Sequence, residues 1–246
     1  MPKFITHLLG CCSFYILFCL SSFFIPVIFL IPSFLLKSSK LADYGAKIWT
    51  KTIVFFLKII CGIKYQIINQ HNIPNSPCIF ACKHQSMWET IIMHLIIHRP
   101  VYVYKTELLK IPFYGWFLNV MSGIKVNRKG GINSLKYVLQ QAKSYLQKQQ
   151  SIVIFPQGTR VPVSGSTQQY PYQSGIISLY QNCNVSVVPV ALNSGLFWPK
   201  KLFQQKPGTI SINFLPAIPS GLSKKDFIQT LTKQIEEKSQ QLAKNV

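Results

Sequence analysis

A histidine and a carboxylate five residues apart, His84 and Glu89, are the pair most able to do chemistry in this chain. They stand in Cys82-Lys83-His84-Gln85-Ser86-Met87-Trp88-Glu89-Thr90. The apolar run Pro77 to Cys82 before them reads as a buried strand, and Thr90 to Ile97 after them as a helix. A histidine at such a strand-to-helix turn is held on a rigid scaffold. A carboxylate on one ring nitrogen would fix its tautomer and stabilise the imidazolium, leaving the other nitrogen to act as a base. Glu89 has a second reading beside this one. Ser86-Met87-Trp88-Glu89 has the form of a capping box, with Ser86 as N-cap and Glu89 folding back over the helix start. The two are compatible, because a carboxylate folded back in this way points toward His84.

Two further clusters could grip an anion. Gly123 to Gly131 holds Lys125, Arg128 and Lys129 among three glycines, just before a helix beginning near Asn133. Glycines let backbone amides approach an anion, and a helix start adds partial positive charge. Phe155-Pro156-Gln157-Gly158-Thr159-Arg160 leaves a strand read over Ser151 to Phe155. Ligands of open α/β sheets bind beyond such carboxyl ends. Thr159 and Arg160 could hold a phosphate, and the Gly158 amide could face an oxyanion. A basic surface turn and a plain strand exit are the ordinary readings of these two stretches. No nucleophile adjoins the base in a convincing way: Ser86 is better used as a cap, and Cys82 gives only a weak Cys–His signal. A base without its own nucleophile implies that the substrate supplies one, such as a hydroxyl.

The elements that must position these groups follow from periodicity. Strands are expected over 101–104, 124–126, 185–190 and 209–214. Helices are expected over 113–121, 133–147, 174–180 and 224–244, with a loop rich in Pro, Gly, Ser, Thr and Gln over 156–172. This alternation predicts an α/β fold, a central mixed sheet flanked by helices. Ahead of it, Phe4 to Leu36 carries no charged residue apart from the titratable His7, over 33 residues, where roughly 20 cross a bilayer. The run is too long for a cleavable signal. Pro26 and Pro32 are expected to kink or end the first helix. A second helix, Leu41 to Cys61, alternates lysines with apolar blocks in the manner of an interfacial helix. Lysines cluster after the apolar run, which by the positive-inside rule places the chain beyond residue 37 on the cytoplasmic side of a membrane. Either a single span or a hairpin dipping into one leaflet satisfies the pattern. The expected division is therefore residues 1–65 as membrane-anchoring helices and 66–246 as the α/β domain.

Charge and cysteine content narrow the partners. Lys and Arg total 26 against six acidic residues, a formal net charge of +20 over 246 residues. The only arginines are Arg99, Arg128 and Arg160. The excess predicts an anionic partner: nucleic acid, anionic lipid, or an acidic or phosphorylated substrate. The lysines are spread along the whole chain and no nucleic-acid motif is present, which argues against nucleic acid. Seven cysteines in no framework read as free thiols, and Cys78, Cys82 and His84 lack the second cluster a zinc site requires.

Taken together these stretches resemble the glycerolipid acyltransferases, the family of 1-acyl-sn-glycerol-3-phosphate acyltransferases. His84-x4-Glu89 resembles that family's His-x4-Asp block. Gly123 to Arg128 resembles its second block, Phe155 to Arg160 its Phe-Pro-Glu-Gly-Thr-Arg block, and Val188-Pro189-Val190 its fourth. The resemblance covers roughly residues 75 to 195 and the apolar segment. Glu89 stands for the family's Asp, Gln157 for its Glu, and Gln173 where many members carry Lys. The resemblance implies transfer of a fatty acyl group from acyl-CoA or acyl carrier protein to the hydroxyl of a lysophospholipid at an anionic membrane, without a cofactor or metal. It implies His84 as general base and Glu89 as its orienting acid. Arg128 and Arg160 would grip the acceptor phosphate, with Gly123, Gln157, Gly158 and Thr159 shaping the site. A basic membrane- or anion-binding protein without catalysis, and a lipid hydrolase built on Cys82 or Ser86, are the competing readings.

Overall fold

The computed structural model describes residues 2–36, 38–110, 123–127 and 130–245. The helix expected over 113–121, together with Arg128 and Lys129, lies outside the described residues.

Seven strands form one sheet: β1 Ile63–Ile68, β2 Ile79–Cys82, β3 Val101–Lys105, β4 Gly123–Val126, β5 Ile152–Ile154, β6 Val187–Leu192 and β7 Gly208–Phe214, in the order β1-β7-β6-β2-β5-β3-β4. Strands β6, β2, β5, β3 and β4 run parallel, whereas β7 is antiparallel to β6 and carries β1 parallel to itself. The sheet is thus mixed, as the alternation predicts. β1 was not foreseen: Lys64 and Gln66 alternate with apolar residues on an edge strand, so only half of it reads as buried.

The central strand β2 is buried on both faces, which explains its unbroken apolar run. Its Phe80 and Cys82 share one core with Val153, Val188 and Val190, covered by Ile53 and Leu57 of helix α2 (Ser39–Ile60) and Trp88, Ile91 and Ile92 of α3 (Trp88–Ile96). Its Ile79 and Ala81 face the other core, with Ile152, Ile154 and Val187. That face is covered by α4 (Gly131–Gln147), α5 (Ser174–Cys183) and α6 (Lys224–Lys244). The spacing dictates how they lie: Val138, Ala142 and Leu146, and Phe227, Leu231 and Ile235, recur every four residues and make one stripe per helix. Full burial of each Val, Leu, Ile or Phe side chain among them stabilises by about 1.5–3 kcal/mol. Ser223 caps α6 by accepting from the Asp226 amide at 3.1 Å.

Helix α1 runs from Pro2 to Leu35, with Pro26 and Pro32 inside it; of the two outcomes expected, a kink or an end, neither proline brings the end. It packs on α2 closely enough that a Cβ on Gly45 would come within 2.5 Å of Phe29 Cβ, and Trp49 Nε1 donates to Ser22 Oγ at 3.1 Å. Near its start it meets the sheet domain. Phe14 is buried edge-on against Trp198 at 5.3 Å, and Tyr15 Oη accepts from Gln205 Nε2 at 2.6 Å. The rest of its surface stays apolar and open, with Leu9, Ile16, Phe24, Ile28, Ile31 and Phe34 all exposed.

Candidate active site

β2, β5, β3 and β4 point the same way, so the segments beyond them leave the sheet along one edge. His84 comes two residues after β2, and Phe155 follows β5 directly, its neighbour in the sheet.

The turn after β2 closes on the Glu89 carboxylate. Oε1 accepts from His84 Nδ1 at 2.8 Å, from the Gln85 amide at 2.6 Å and from the Ser86 amide at 2.7 Å. Oε2 accepts from Ser194 Oγ at 2.8 Å. Four donors around two oxygens are the set an ionised carboxylate takes. Glu89 is fully buried, and the His84 side chain is 16% exposed. With Nδ1 donating, Nε2 is the nitrogen left to accept a proton. One oxygen of Glu89 makes both sets of contacts, meeting His84 and closing the turn at the helix start. One detail differs: the residue at the N-cap position is Met87, in helical conformation, and Ser86 Oγ accepts from the Trp88 amide at 3.1 Å.

The segment after β5 folds against the histidine. The Phe155 ring stacks on the imidazole at 4.1 Å between centroids, with 24° between planes. The Val161 amide donates to the His84 carbonyl at 2.7 Å, which sets the backbone of Arg160, the preceding residue, beside the histidine. Thr159 and Arg160 are half-buried. The Gly158 amide donates to the Phe155 carbonyl at 2.8 Å and closes a turn. Gly158 has φ +63°, which glycine adopts without strain. Gln157 is buried, and its Nε2 donates to the Tyr170 carbonyl at 3.1 Å, tying down the 156–172 loop.

Gly123 is not brought to this edge. It opens β4, which ends at Val126, and pairs with Tyr102. Three residue steps of about 3.3 Å put Gly123 roughly 10 Å back along the strand. The glycine there answers to packing: a Cβ would stand 2.3 Å from Tyr104 Cε1.

The nucleophile of a hydrolase is absent from these positions. Cys82 is wholly buried, and burial, aided by the nearby Glu89 charge, raises its thiol pKa well above the ordinary value, so the reactive thiolate is suppressed. Ser86 is buried and engaged in its local hydrogen bond.

Sequence reasoning missed four contributors. Lys83 is buried with both Glu236 carboxylate oxygens at 2.7 Å from Nζ, and Tyr172 Oη donates to Glu236 Oε1 at 2.9 Å. This network ties the residue before the histidine to α6. Burial foremost, then the adjacent Glu236 charge, raises the Tyr172 phenol well above its usual pKa. Ser194 was missed as well, being 105 residues from Glu89.

A mixed α/β sheet carrying a His–carboxylate pair at its carboxyl edge, with neither Cys82 nor Ser86 placed as a nucleophile, fits a transferase that acts on a substrate hydroxyl. Residues 64–193 match the Acyltransferase family model, and the chain belongs to that family. Over 170 residues it is 35% identical to the 1-acyl-sn-glycerol-3-phosphate acyltransferase of Pseudomonas aeruginosa, a stretch covering 69% of this chain and 65% of that protein. Over 188 residues it is 24% identical to the 1-acyl-sn-glycerol-3-phosphate acyltransferase alpha of Bos taurus, covering 75% and 64%. The chain thus spans just under two thirds of the length of these two relatives. The fold matches the crystal structure of the 1-acyl-sn-glycerophosphate (LPA) acyltransferase PlsC from Thermotoga maritima, with TM-score 0.78, 20% identity and 98% of both chains covered.

Proposed function

We propose that this protein moves a fatty acyl group from an acyl thioester, acyl-CoA or acyl carrier protein, to the free hydroxyl of 1-acyl-glycerol-3-phosphate, making phosphatidic acid for phospholipid synthesis. The observation that carries the reading is the 2.8 Å contact between His84 Nδ1 and a buried carboxylate, on a ring that stays partly open. His84 Nε2 takes the hydroxyl proton while that oxygen attacks the thioester carbonyl. The tetrahedral intermediate collapses by breaking its carbon–sulfur bond, and the imidazolium returns its proton to the departing thiolate. The products are one ester and one thiol, and no acyl-enzyme forms. Glu89 stabilises the imidazolium, worth most where water is excluded, as it is around the fully buried carboxylate. General-base assistance contributes about 10²- to 10⁴-fold, and holding both lipids at one surface can add more.

Arg160, and Arg128 beyond the described residues, hold the acceptor phosphate by bidentate hydrogen bonds. Thr159 borders the same segment. The N-terminal helices α1 and α2 anchor the chain, and the sheet domain, which begins at β1 (Ile63) rather than at residue 66, forms the catalytic unit on the cytoplasmic face. Ile5–Leu35 is the one helix among the described residues long and apolar enough to cross a membrane. Its exposed apolar residues support an anchor, whether it spans or lies in one leaflet. A +20 chain would also draw anionic lipid and an acidic donor protein to that surface.

The test is a product assay with purified protein in mixed micelles, offering acyl-CoA and acyl carrier protein donors and several lysophospholipids. Phosphatidic acid made by wild type, and lost in His84→Ala with vesicle binding intact, supports the reading. Transfer that ignores His84, or free fatty acid released without any acceptor, overturns it.

A further inference from the structure

We infer that Ser194 is a positioning residue for the His84–Glu89 pair, acting through the carboxylate oxygen that the histidine does not use. The inference rests on the acyl-transfer reading above for its kinetic consequence, but its geometry stands apart from it.

The Ser194 hydroxyl is fully buried and donates to Glu89 Oε2 at 2.8 Å. Oε1 is shared by His84 and two backbone amides. Those three contacts leave the carboxylate free to pivot about Oε1. A fourth donor on Oε2, arriving from another part of the chain, removes that freedom and fixes the plane of the group. The direction in which Oε1 meets Nδ1 is then set. This is the role that partners behind a working histidine or carboxylate play elsewhere: they act by orientation, without touching the reacting atoms.

The surroundings show a residue held for this contact. Asn193, buried beside it, accepts from the Ser211 amide of β7 at 2.8 Å and donates to the Leu242 carbonyl of α6 at 3.0 Å. On the other side, the Gly195 amide donates to Gln85 Oε1 at 3.1 Å. Gln85 is the residue next to His84, so this segment touches the histidine turn twice. The approach is tight at that point: a Cβ on Gly195 would stand 3.1 Å from Gln85 Cβ and 3.0 Å from Val163 Cγ2. Further along, Trp198 is buried against Phe14 of α1, and its amide donates to the Ser194 carbonyl at 2.9 Å. The serine is therefore pinned by β7, α6, the histidine turn and the N-terminal helix together, and its hydroxyl has little freedom to do anything but meet Glu89.

A residue that only fills space would be replaceable by alanine with no effect on turnover. A positioning donor would not, and its loss would appear in kcat rather than in either KM. The experiment compares wild type with Ser194→Ala, Ser194→Thr and Ser194→Cys in the full chain in micelles, with His84→Ala as reference. Three quantities are read: kcat and KM for donor and acceptor, the unfolding midpoint, and the ring ¹⁵N signal of His84 in protein labelled at histidine. Ser194→Ala is expected to lower kcat by about ten- to a hundred-fold, the scale of one hydrogen bond to a charged group, with each KM within about two-fold. Ser194→Thr, which keeps the hydroxyl, restores most of the rate and the wild-type ring signal. Ser194→Cys, which fills the space with a weak donor, falls between, and carries the test if the alanine variant does not fold. Wild-type kcat together with an unmoved His84 signal in the alanine or cysteine variant overturns the inference. If wild type itself made no phospholipid, the acyl-transfer reading would fall, while the ring signal would still decide whether Ser194 orients the pair.

Discussion

Glu89→Gln separates the structural duty of one carboxylate from the catalytic duty proposed for it. Glutamine is nearly isosteric, and its carbonyl oxygen can still accept from the amides of Gln85 and Ser86, now made at 2.6 and 2.7 Å. Its amide nitrogen takes the place of Oε2, where the Ser194 hydroxyl can rotate and accept instead of donating. The helix start is therefore kept, and the loss of stability is about 1–2 kcal/mol, the difference between charged and neutral hydrogen bonds. In a chain of this size that is a few degrees in Tm. The charge is what disappears. With a 2.8 Å nitrogen–oxygen contact, the charge centres of imidazolium and carboxylate lie about 4 Å apart, and at an effective dielectric near 20 their attraction is about 4 kcal/mol. Because that attraction grows only as the histidine takes its proton, it belongs to the transition state, and its loss slows kcat by roughly 10³-fold. Turnover of radiolabelled donor into phosphatidic acid, beside a calorimetric scan, measures both effects on one sample. A folded Glu89→Gln protein with wild-type kcat would return Glu89 to a capping role and remove the basis for assigning His84 as the base.

Other consequences arise from the same geometry. Arg160→Ala should raise the acceptor KM and lower kcat/KM for it by about 10- to 100-fold, the scale of lost charge-assisted hydrogen bonds, while the donor KM holds; steady-state kinetics with each substrate varied in turn would show it. Glu236→Gln strips the partner from the buried Lys83 ammonium, and leaving that charge unpaired costs about 3 kcal/mol, roughly 10 °C in a thermal scan. His94 is deeply buried, and burial lowers its pKa from 6.5 to about 4, so the unfolded chain binds the proton first. The stability that His94 gives is complete above pH 6.5 and declines as pH falls to about 4, by about 3 kcal/mol in all. Denaturant unfolding of wild type and His94→Gln across that range should show the two pH slopes diverging, and parallel slopes would refute the assignment.

What the sequence disclosed depended on distance along the chain. His84 and Glu89 are five residues apart, so a turn and a helix start suffice to bring them together, and the capping pattern even indicates which way the carboxylate folds. The Phe155–Arg160 segment was legible as a strand exit, but the use of its Gly158 amide was not, because a donor spent on closing a turn looks the same in sequence as a free one. Gly123 to Arg128 looks like one cluster in sequence, yet Gly123 opens β4 and lies about 10 Å back from the strand's end at Val126. Ser194 lies beyond any local pattern, and what delivers it is strand register. β6 pairs with β2 so that Pro189 stands opposite Ala81 and Val190 opposite Cys82. His84 comes two residues beyond Cys82, and Ser194 four beyond Val190. A shift of one residue in that pairing would reverse which side chains of β6 face each core and carry the serine away from the carboxylate. The Val188-Pro189-Val190 block thus bears on catalysis without lending a side chain to the site: it sets the alignment that puts a hydroxyl from one strand end behind the acid at another. On this account, substitutions in β6 that preserve packing but disturb register should lower kcat as Ser194→Ala does, although the hydroxyl at 194 is still present.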